Sequence, residues 1–294
     1  MKDLPLVSIV SVNYNQKEHT VEFLNSLYDS EYQNFEVIVV DNGSKDPLEK
    51  KSLEIKFTNL KCIILEKNLG FAGGNNIGIK KAKGQFLIFL NNDTIIPKSF
   101  ISDIIHFLSD KPNVGIISPK VIYPNGLIQY AGSNGINFLT MRGSRIGLME
   151  RDSGQYDSIY ETSLPHGAAM AVRKEAIDKV GLMPEAYFLY YEEHEWCTNF
   201  LKMGFKTVYL GTTQIIHKES VSIGSHSPMK VYYLSRNRLL FLLRNGSVGQ
   251  ILSGTLFSIF ISLPTNTLRY LIKGEFPQLI SLWNGYLWHL GRKR

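Results

Sequence analysis

Five short apolar runs, each parted from the next by a segment of helical periodicity, restrict the first 120 residues to an open α/β sheet. The runs are VSIVSV (7 to 12), FEVIVV (35 to 40), CIIL (62 to 65), FLIFL (86 to 90) and VGIIS (114 to 118). Their apolar character is continuous rather than alternating, as parallel strands covered on both faces require. Between them, Val21, Leu24, Leu27 and Tyr28, and later Ile101, Ile104, Ile105 and Leu108, repeat at the spacing of crossover helices. Ligands of such sheets bind beyond the carboxyl ends of the strands. The residues there are polar: Asn13, Tyr14 and Asn15 after the first run, Asp41, Asn42 and Gly43 after the second, and Asn91, Asn92 and Asp93 after the fourth.

From about 124 to 164 the chain turns rich in Gly, Ser and Asp and loses periodicity, which predicts a long, partly irregular excursion. A second ordered stretch follows, with GAAMAV (167 to 172), helices near 173 to 180 and 191 to 203, and short strands near 206 to 216.

Two clusters have the residue types of a reactive site. Asp93 closes a very apolar strand and Asn91 can face the same side. These oxygens suit Mg²⁺ or Mn²⁺, although an Asx turn ahead of a helix uses the same residues. In YYEEHEW (190 to 196) the acids Glu192, Glu193 and Glu195 enter a helix, where they complement its dipole. Desolvation behind the aromatic run would fit one of them for general-base work. His217, which ends the run TTQIIH, is either a structural histidine or a partner of Asp93. The NLGFAGGNN segment (68 to 76) allows close backbone approach and a helix N-terminus facing phosphate, but it fits no dinucleotide fingerprint.

Taken in order, SVNYN, VVDNGSKD, NLGFAGGNN, FLNND, the 167 to 196 segment and GFKTVYLGTTQIIHKES resemble the family 2 glycosyltransferases, in their rhamnosyltransferase-like branch. The resemblance implies a GT-A fold and transfer with inversion from a nucleotide-diphospho-sugar, a UDP- or dTDP-sugar, to a glycan or lipid-linked acceptor. It implies that Tyr14 and Asp41 lie at the nucleotide base, and that Asn13, Asn15 and Asn92 also bind the nucleotide-sugar. Asn68, Gly70, Asn75 and Asn76 would line the nucleotide and diphosphate. Asn91 and Asp93 are the two ends of the metal motif, which His217 completes. Glu192 and Glu193 match an acidic pair whose second member is the base, and Glu195 an acid that holds the site or the acceptor. Two departures stand out: Asn91 replaces an acid, and Glu193 replaces an Asp. A decayed, nucleotide-sugar-binding homologue and a sugar nucleotidyltransferase are the alternatives, and the latter lacks its Gly-rich basic loop after the first strand.

The net charge of +6 is a property of the C-terminus: residues 228 to 294 hold nine Lys/Arg against one acid, Glu275. Their interleaving with Leu, Phe, Tyr and Trp favours a lipid surface over nucleic acid. The chain therefore divides into a catalytic domain, 1 to 227, and a membrane-associated region, 228 to 294. Within the latter, 228 to 246 reads as interfacial. Residues 251 to 272 are long enough to span, yet Pro264, Thr265, Asn266 and Arg269 favour a shallow or re-entrant helix over a full crossing. Asp3 and Pro5 break any leader-like run, and Cys62 and Cys197 form no disulfide framework, so the expected location is the cytoplasmic face of the cell membrane.

Overall fold

The computed structural model describes residues 4–219 and 227–291. Asp3 and the last three basic residues lie outside them. Strands and helices alternate as expected: β1 (Val7–Asn13), α1 (Lys17–Tyr28), β2 (Phe35–Asp41), α2 (Lys50–Lys56), β3 (Leu60–Ile64), α3 (Gly70–Lys81), β4 (Phe86–Leu90), β5 (Thr94–Ile95), α4 (Phe100–Ser109) and β6 (Val114–Ile122). The excursion resolves into β7 (Ile128–Tyr130), β8 (Ser133–Asn137), β9 (Arg142–Arg145) and β10 (Ile159–Glu161). After it come β11 (Ala169–Arg173), α5 (Lys174–Val180), α6 (Glu192–Lys202) and β12 (Lys206–His217). The chain then becomes helical: α7 (Pro228–Asn245), α8 (Val248–Phe257), α9 (Leu263–Ile272) and α10 (Phe276–Leu287).

The main sheet runs β10-β12-β6-β11-β4-β1-β2-β3. Its two faces follow from period-two alternation. Val7, Ile9, Ile88 and Leu90 join the helical residues Phe23, Leu27, Ile101 and Ile104 in one core. Val10, Leu87 and Phe89 join Ile79, Ile177, Trp196 and Phe200 in the other. Helix α3 lies close on β1 because Gly78 is bare: a Cβ there would come within 2.3 Å of Val10.

Three segments take shapes that periodicity left unspecified. GAAMAV leads into β11, inserted antiparallel between β4 and β6, so the sheet is mostly parallel, as the GT-A resemblance implies. The short strands near 206 to 216 are one twelve-residue strand, irregular between Leu210 and Gln214, where it slips against β6. Helix α7 spans the segment read as interfacial, and much of it packs inside the protein. Leu239, Leu240, Phe241 and Leu242 are buried with Met141, Tyr187 and Tyr191 of the catalytic part, so packing is continuous across residue 228.

Residues Val248–Ile272 form one helix, long and apolar enough by length and composition to cross a membrane, with a mean hydropathy of 1.4 over its most apolar window. Pro264 has no N–H, and its ring would press on the preceding turn. The helix widens into a π turn over Ser258–Ser262 just before it, which relieves that clash without ending the helix.

Candidate active site

Beyond the carboxyl ends of β1 and β4, and beside the end of β12, lies a cleft of about 1000 Å³. The β8–β9 hairpin contributes Arg142 and Arg145 to one wall, and α7 contributes Lys230, Tyr233 and Arg238 to another. Both expected clusters, at Asp93 and at Glu193, open into this single cleft.

At the β4 end, Asp93 is 4% exposed. Both of its carboxylate oxygens are buried with no hydrogen bond from any described residue. His217 Nε2 lies 3.2 Å from Asp93 Oδ1 and 3.3 Å from Asn91 Nδ2. Its other nitrogen, Nδ1, is 2.7 Å from Gln129 Oε1. An amide oxygen only accepts, so Nδ1 is the donor to Gln129, and in the neutral ring Nε2 is left as a lone pair on the Asp93 side. A buried carboxylate without a donor is costly, and a lone pair aimed at it adds repulsion; a cation between them relieves both. The backing of a ligand imidazole by a second hydrogen bond is the usual support of a metal site. Among the described residues no three His, Cys, Asp or Glu side chains form a closed cage. Asp93 and His217, with Asn91 beside them, therefore fit an open site that takes further oxygens from its substrate, the habit of Mg²⁺ and Mn²⁺.

Helix α6 begins in the opposite wall after an unusual turn: Phe188, Tyr190 and Tyr191 have φ of 65°, 65° and 77°. Non-glycine residues in this region cost on the order of 1–3 kcal/mol each, strain that clusters at functional sites. The turn brings two adjacent carboxyls into unlike surroundings. Burial, then the neighbouring charge of Glu193, pushes Glu192 well above the usual carboxylate range. Burial also acts to raise Glu193, but His194 and the N–H groups of Tyr191 and Glu193 outweigh it and hold Glu193 below that range. Glu193 Oε1 lies 3.2 Å from His194 Nδ1, whereas Oε2 is buried with no hydrogen bond from a described residue. The two shifts are opposite, so Glu193 ionises before Glu192, the kind of separation that distinguishes a base from a donor.

The remaining expected residues separate into two groups. Tyr14, 39% exposed at the rim, with Asn68, Gly70 and Asn92, lines the cleft. Asn13, Asn15, Asp41, Asn75, Asn76 and Glu195 are not among its lining residues. Asp41 accepts from Asn13 Nδ2 at 3.1 Å, Ser44 N at 3.0 Å and Leu48 N at 2.7 Å, so its oxygens shape the loop after β2. Asn13 Oδ1 in turn receives Asn92 Nδ2 at 3.1 Å, tying the ends of β1 and β4 together. Asn15 accepts from Lys45 N at 2.8 Å. Asn75 donates to Phe71 O at 3.0 Å, and Asn76 binds Met183 in both directions. The phosphate-facing role expected for the N-terminus of α3 is weakened likewise. Gly70 N donates to Asn68 Oδ1 and Phe71 N to the Phe188 carbonyl. Glu195 is gripped by Arg244 at 2.7–3.0 Å, by Asn245 at 3.0 Å and by the Tyr187 hydroxyl.

Several cleft residues had no sequence signal. Gln129 is an ordinary strand residue until β7 sets it behind His217. His166, partly buried, has its imidazole pushed well below the ordinary range, by burial first and then by its neighbours His217, Arg145 and His194. Arg142 and Arg145 sit in the irregular excursion, where periodicity has nothing to report.

Comparison with known proteins bears on what this cleft handles. The model of glycosyl transferase family 2 matches residues 8–181. The chain is 30% identical over 251 residues to the dTDP-rhamnosyl transferase RfbF of Shigella flexneri, covering 80% of this chain and 79% of that one. It is 27% identical over 241 residues to the low-salt glycan biosynthesis hexosyltransferase Agl10 of Haloferax volcanii, covering 80% and 74%. Among solved structures, the mannosyltransferase PcManGT of Pyrobaculum calidifontis, in complex with GDP-Man and Mn²⁺, matches with a TM-score of 0.61 at 15% identity, over 100% of this chain and 89% of that one. That likeness establishes the GT-A fold.

Proposed function

The chain belongs to glycosyl transferase family 2, and from that premise we propose that it is an inverting, divalent-metal-dependent transferase acting on a UDP- or dTDP-sugar. Rhamnose is the sugar favoured by the likeness to RfbF, and a lipid-linked or glycan hydroxyl of a cell-surface polysaccharide is the acceptor. The observation that carries the reading is that a bare buried carboxylate, Asp93, and an ionised carboxylate, Glu193, open into one cleft.

Asp93, His217 and Asn91 are the residues that would hold Mg²⁺ or Mn²⁺. When bound, the cation neutralises charge developing on the departing diphosphate. Tyr14 and Asn68 at the rim take the nucleoside end. Glu193 accepts the acceptor hydroxyl proton at Oε2 as the acceptor oxygen bonds to the anomeric carbon. The bond from that carbon to the diphosphate oxygen breaks, and the diphosphate leaves with the electron pair. A single displacement inverts the anomeric centre. Glu192, pushed by burial well above the usual carboxylate range, resists placing a second negative charge beside the base.

The reading is tested by thermal stabilisation of the purified chain with Mn²⁺ and, in turn, UDP-GlcNAc, GDP-mannose and dTDP-rhamnose. A ligand at a hundred times its Kd stabilises by about 2.7 kcal/mol, so one nucleotide series should raise Tm clearly above Mn²⁺ alone. No shift with any of the three counts against a nucleotide-sugar transferase.

A lipid surface as partner is supported by α8 to α10, whose exposed apolar side chains include Phe260 (68%) and Ile272 (77%). Arg269 and Lys273 lie among them. Helix α10 packs on α7, whose Met229, Lys230 and Tyr233 line the cleft. An acceptor held at the membrane would meet the base along that path. Binding to vesicles of phosphatidylcholine and phosphatidylglycerol should fall at least tenfold in the Phe260→Glu, Ile272→Glu double variant, since burying each such side chain contributes about 1.5–3 kcal/mol. Equal binding of variant and parent would remove this face from contact with lipid.

A further inference from the structure

We infer that Asn237, on α7, is a positioning residue for the base Glu193: its amide holds the strained turn that delivers Glu193 to the cleft. The proposal rests on Glu193 being the base. Asn237 is fully buried. Its Nδ2 lies within hydrogen-bond distance of three carbonyls of one turn, Tyr187 at 3.0 Å, Leu189 at 2.6 Å and Tyr190 at 2.9 Å. Its Oδ1 accepts from Arg236 Nε at 2.7 Å, which fixes which end of the amide faces the turn. Arg236 NH2 adds bonds to the carbonyls of Ala186 and Tyr187.

Two side chains on one helix therefore bind four consecutive or near-consecutive carbonyls ahead of α6. The same stretch contains the left-handed residues Phe188, Tyr190 and Tyr191. Left-handed backbone at three bulky residues does not persist unless its surroundings over-determine it. Gly70 secures the turn from the other side, since its bare Cα lets the Phe188 carbonyl approach where a Cβ would meet it at 2.2 Å. Were the turn to relax to ordinary dihedrals, Glu192 and Glu193 would leave their present bearings with it, because Tyr191 is the residue that opens α6.

Arg236 is in turn held by the C-terminal helices. Its guanidinium lies 4.8 Å from the Trp288 ring, and its carbonyl is 2.9 Å from His289 Nε2. Helix α10 approaches this point closely: a Cβ on Gly285 would fall 2.9 Å from Ser235 Cβ. The helices that carry the exposed apolar face are thus joined through Arg236 and Asn237 to the reactive turn.

The test uses the full chain and four forms: parent, Asn237→Ala, Glu193→Gln and the double variant. Turnover is read as nucleoside diphosphate released from an equimolar mixture of UDP-GlcNAc, GDP-mannose and dTDP-rhamnose with Mn²⁺. Binding is read by calorimetry with UDP and dTDP, and mobility of residues 186–196 by amide hydrogen exchange. Asn237→Ala is expected to lower kcat at least thirtyfold with nucleotide Kd changed less than threefold. Exchange in 186–196 should quicken at least tenfold while the sheet is unchanged. In the Glu193→Gln background the same substitution should lower kcat less than threefold, because a base already lost cannot be misplaced. If Asn237→Ala prevents folding, seen as loss of nucleotide binding, Asn237→Ser keeps one donor to the turn and is held to the same pattern with a smaller loss. Unchanged exchange and kcat in a folded Asn237 variant, or full additivity with Glu193→Gln, overturns the proposal. Full activity of Glu193→Gln itself overturns the assignment of the base instead.

Discussion

Replacing Glu193 with Gln is expected to lower turnover by roughly 10²- to 10⁴-fold, the usual contribution of a positioned base, with nucleotide binding unchanged. The substitution keeps shape and one hydrogen-bonding oxygen but removes the charge that takes the proton. The neighbouring carboxyl is a poor substitute, because burial, the larger cause, pushes Glu192 well above the usual carboxylate range. In the Glu193→Gln enzyme the like charge is gone, so Glu192 should ionise more readily, but from a site 2% exposed where burial still opposes charge. Glu192→Gln is therefore the control: it should cost much less than Glu193→Gln. Because Glu193 is held below the usual carboxylate range, the acid limb of the parent pH profile should also lie low, activity falling only as pH drops through that depressed value. Equal losses from the two substitutions, or a larger loss at 192, would exchange their roles.

The parts of this fold that declare themselves in sequence are those fixed by one local period. Continuous apolar runs mark β1, β2, β3, β4 and β6 within a few residues, because strands covered on both faces tolerate little else. The polar residues at their carboxyl ends are legible for the same reason, as rim positions. What each does there is not legible. Asp41, Asn13 and Asn76 are as polar as Asp93, yet each is consumed by partners elsewhere along the chain, and only three-dimensional proximity decides between them. The strand β11 is hidden in sequence because GAAMAV is built of small residues that suit helix and strand alike.

Helix α7 misleads for a related reason. A helix apolar on most sides with interspersed arginines has the composition of a lipid-surface helix. It is also the composition of a helix buried between two layers whose arginines find carbonyls and carboxylates. Arg236 meets the Ala186 and Tyr187 carbonyls and Arg244 meets Glu195. The partners lie about fifty residues away in sequence, beyond any window in which periodicity operates. The apolar side chains that remain exposed belong largely to α8 through α10, so the basic and apolar tail divides between a structural role and a surface role.

Substituting Asp93 by Asn is expected to act in opposite directions on stability and on metal response. In metal-free buffer, Asp93 is a buried carboxylate that receives no hydrogen bond from a described residue and lies 3.2 Å from His217 Nε2. Asn at that position removes the uncompensated charge and supplies an N–H that can point at His217 Nε2. An unsatisfied buried polar group costs about 1–3 kcal/mol, more when charged, and for a chain of this size each kcal/mol is worth roughly 2–4 °C in Tm. The variant should therefore melt at or above the parent when a chelator is present. With Mn²⁺ the order should reverse. The parent gains stability and binds UDP or dTDP more tightly, whereas the variant, left with one imidazole and two amides, loses most of that response. Such an exchange of stability for function is what a site built to receive a cation entails. A variant that melts lower than the parent in chelator and keeps Mn²⁺-stimulated nucleotide binding would mean that Asp93 is an ordinary structural carboxylate. The two measurements, calorimetry with and without Mn²⁺ and melting with and without chelator, need no acceptor and no turnover, so they test the site apart from the reaction.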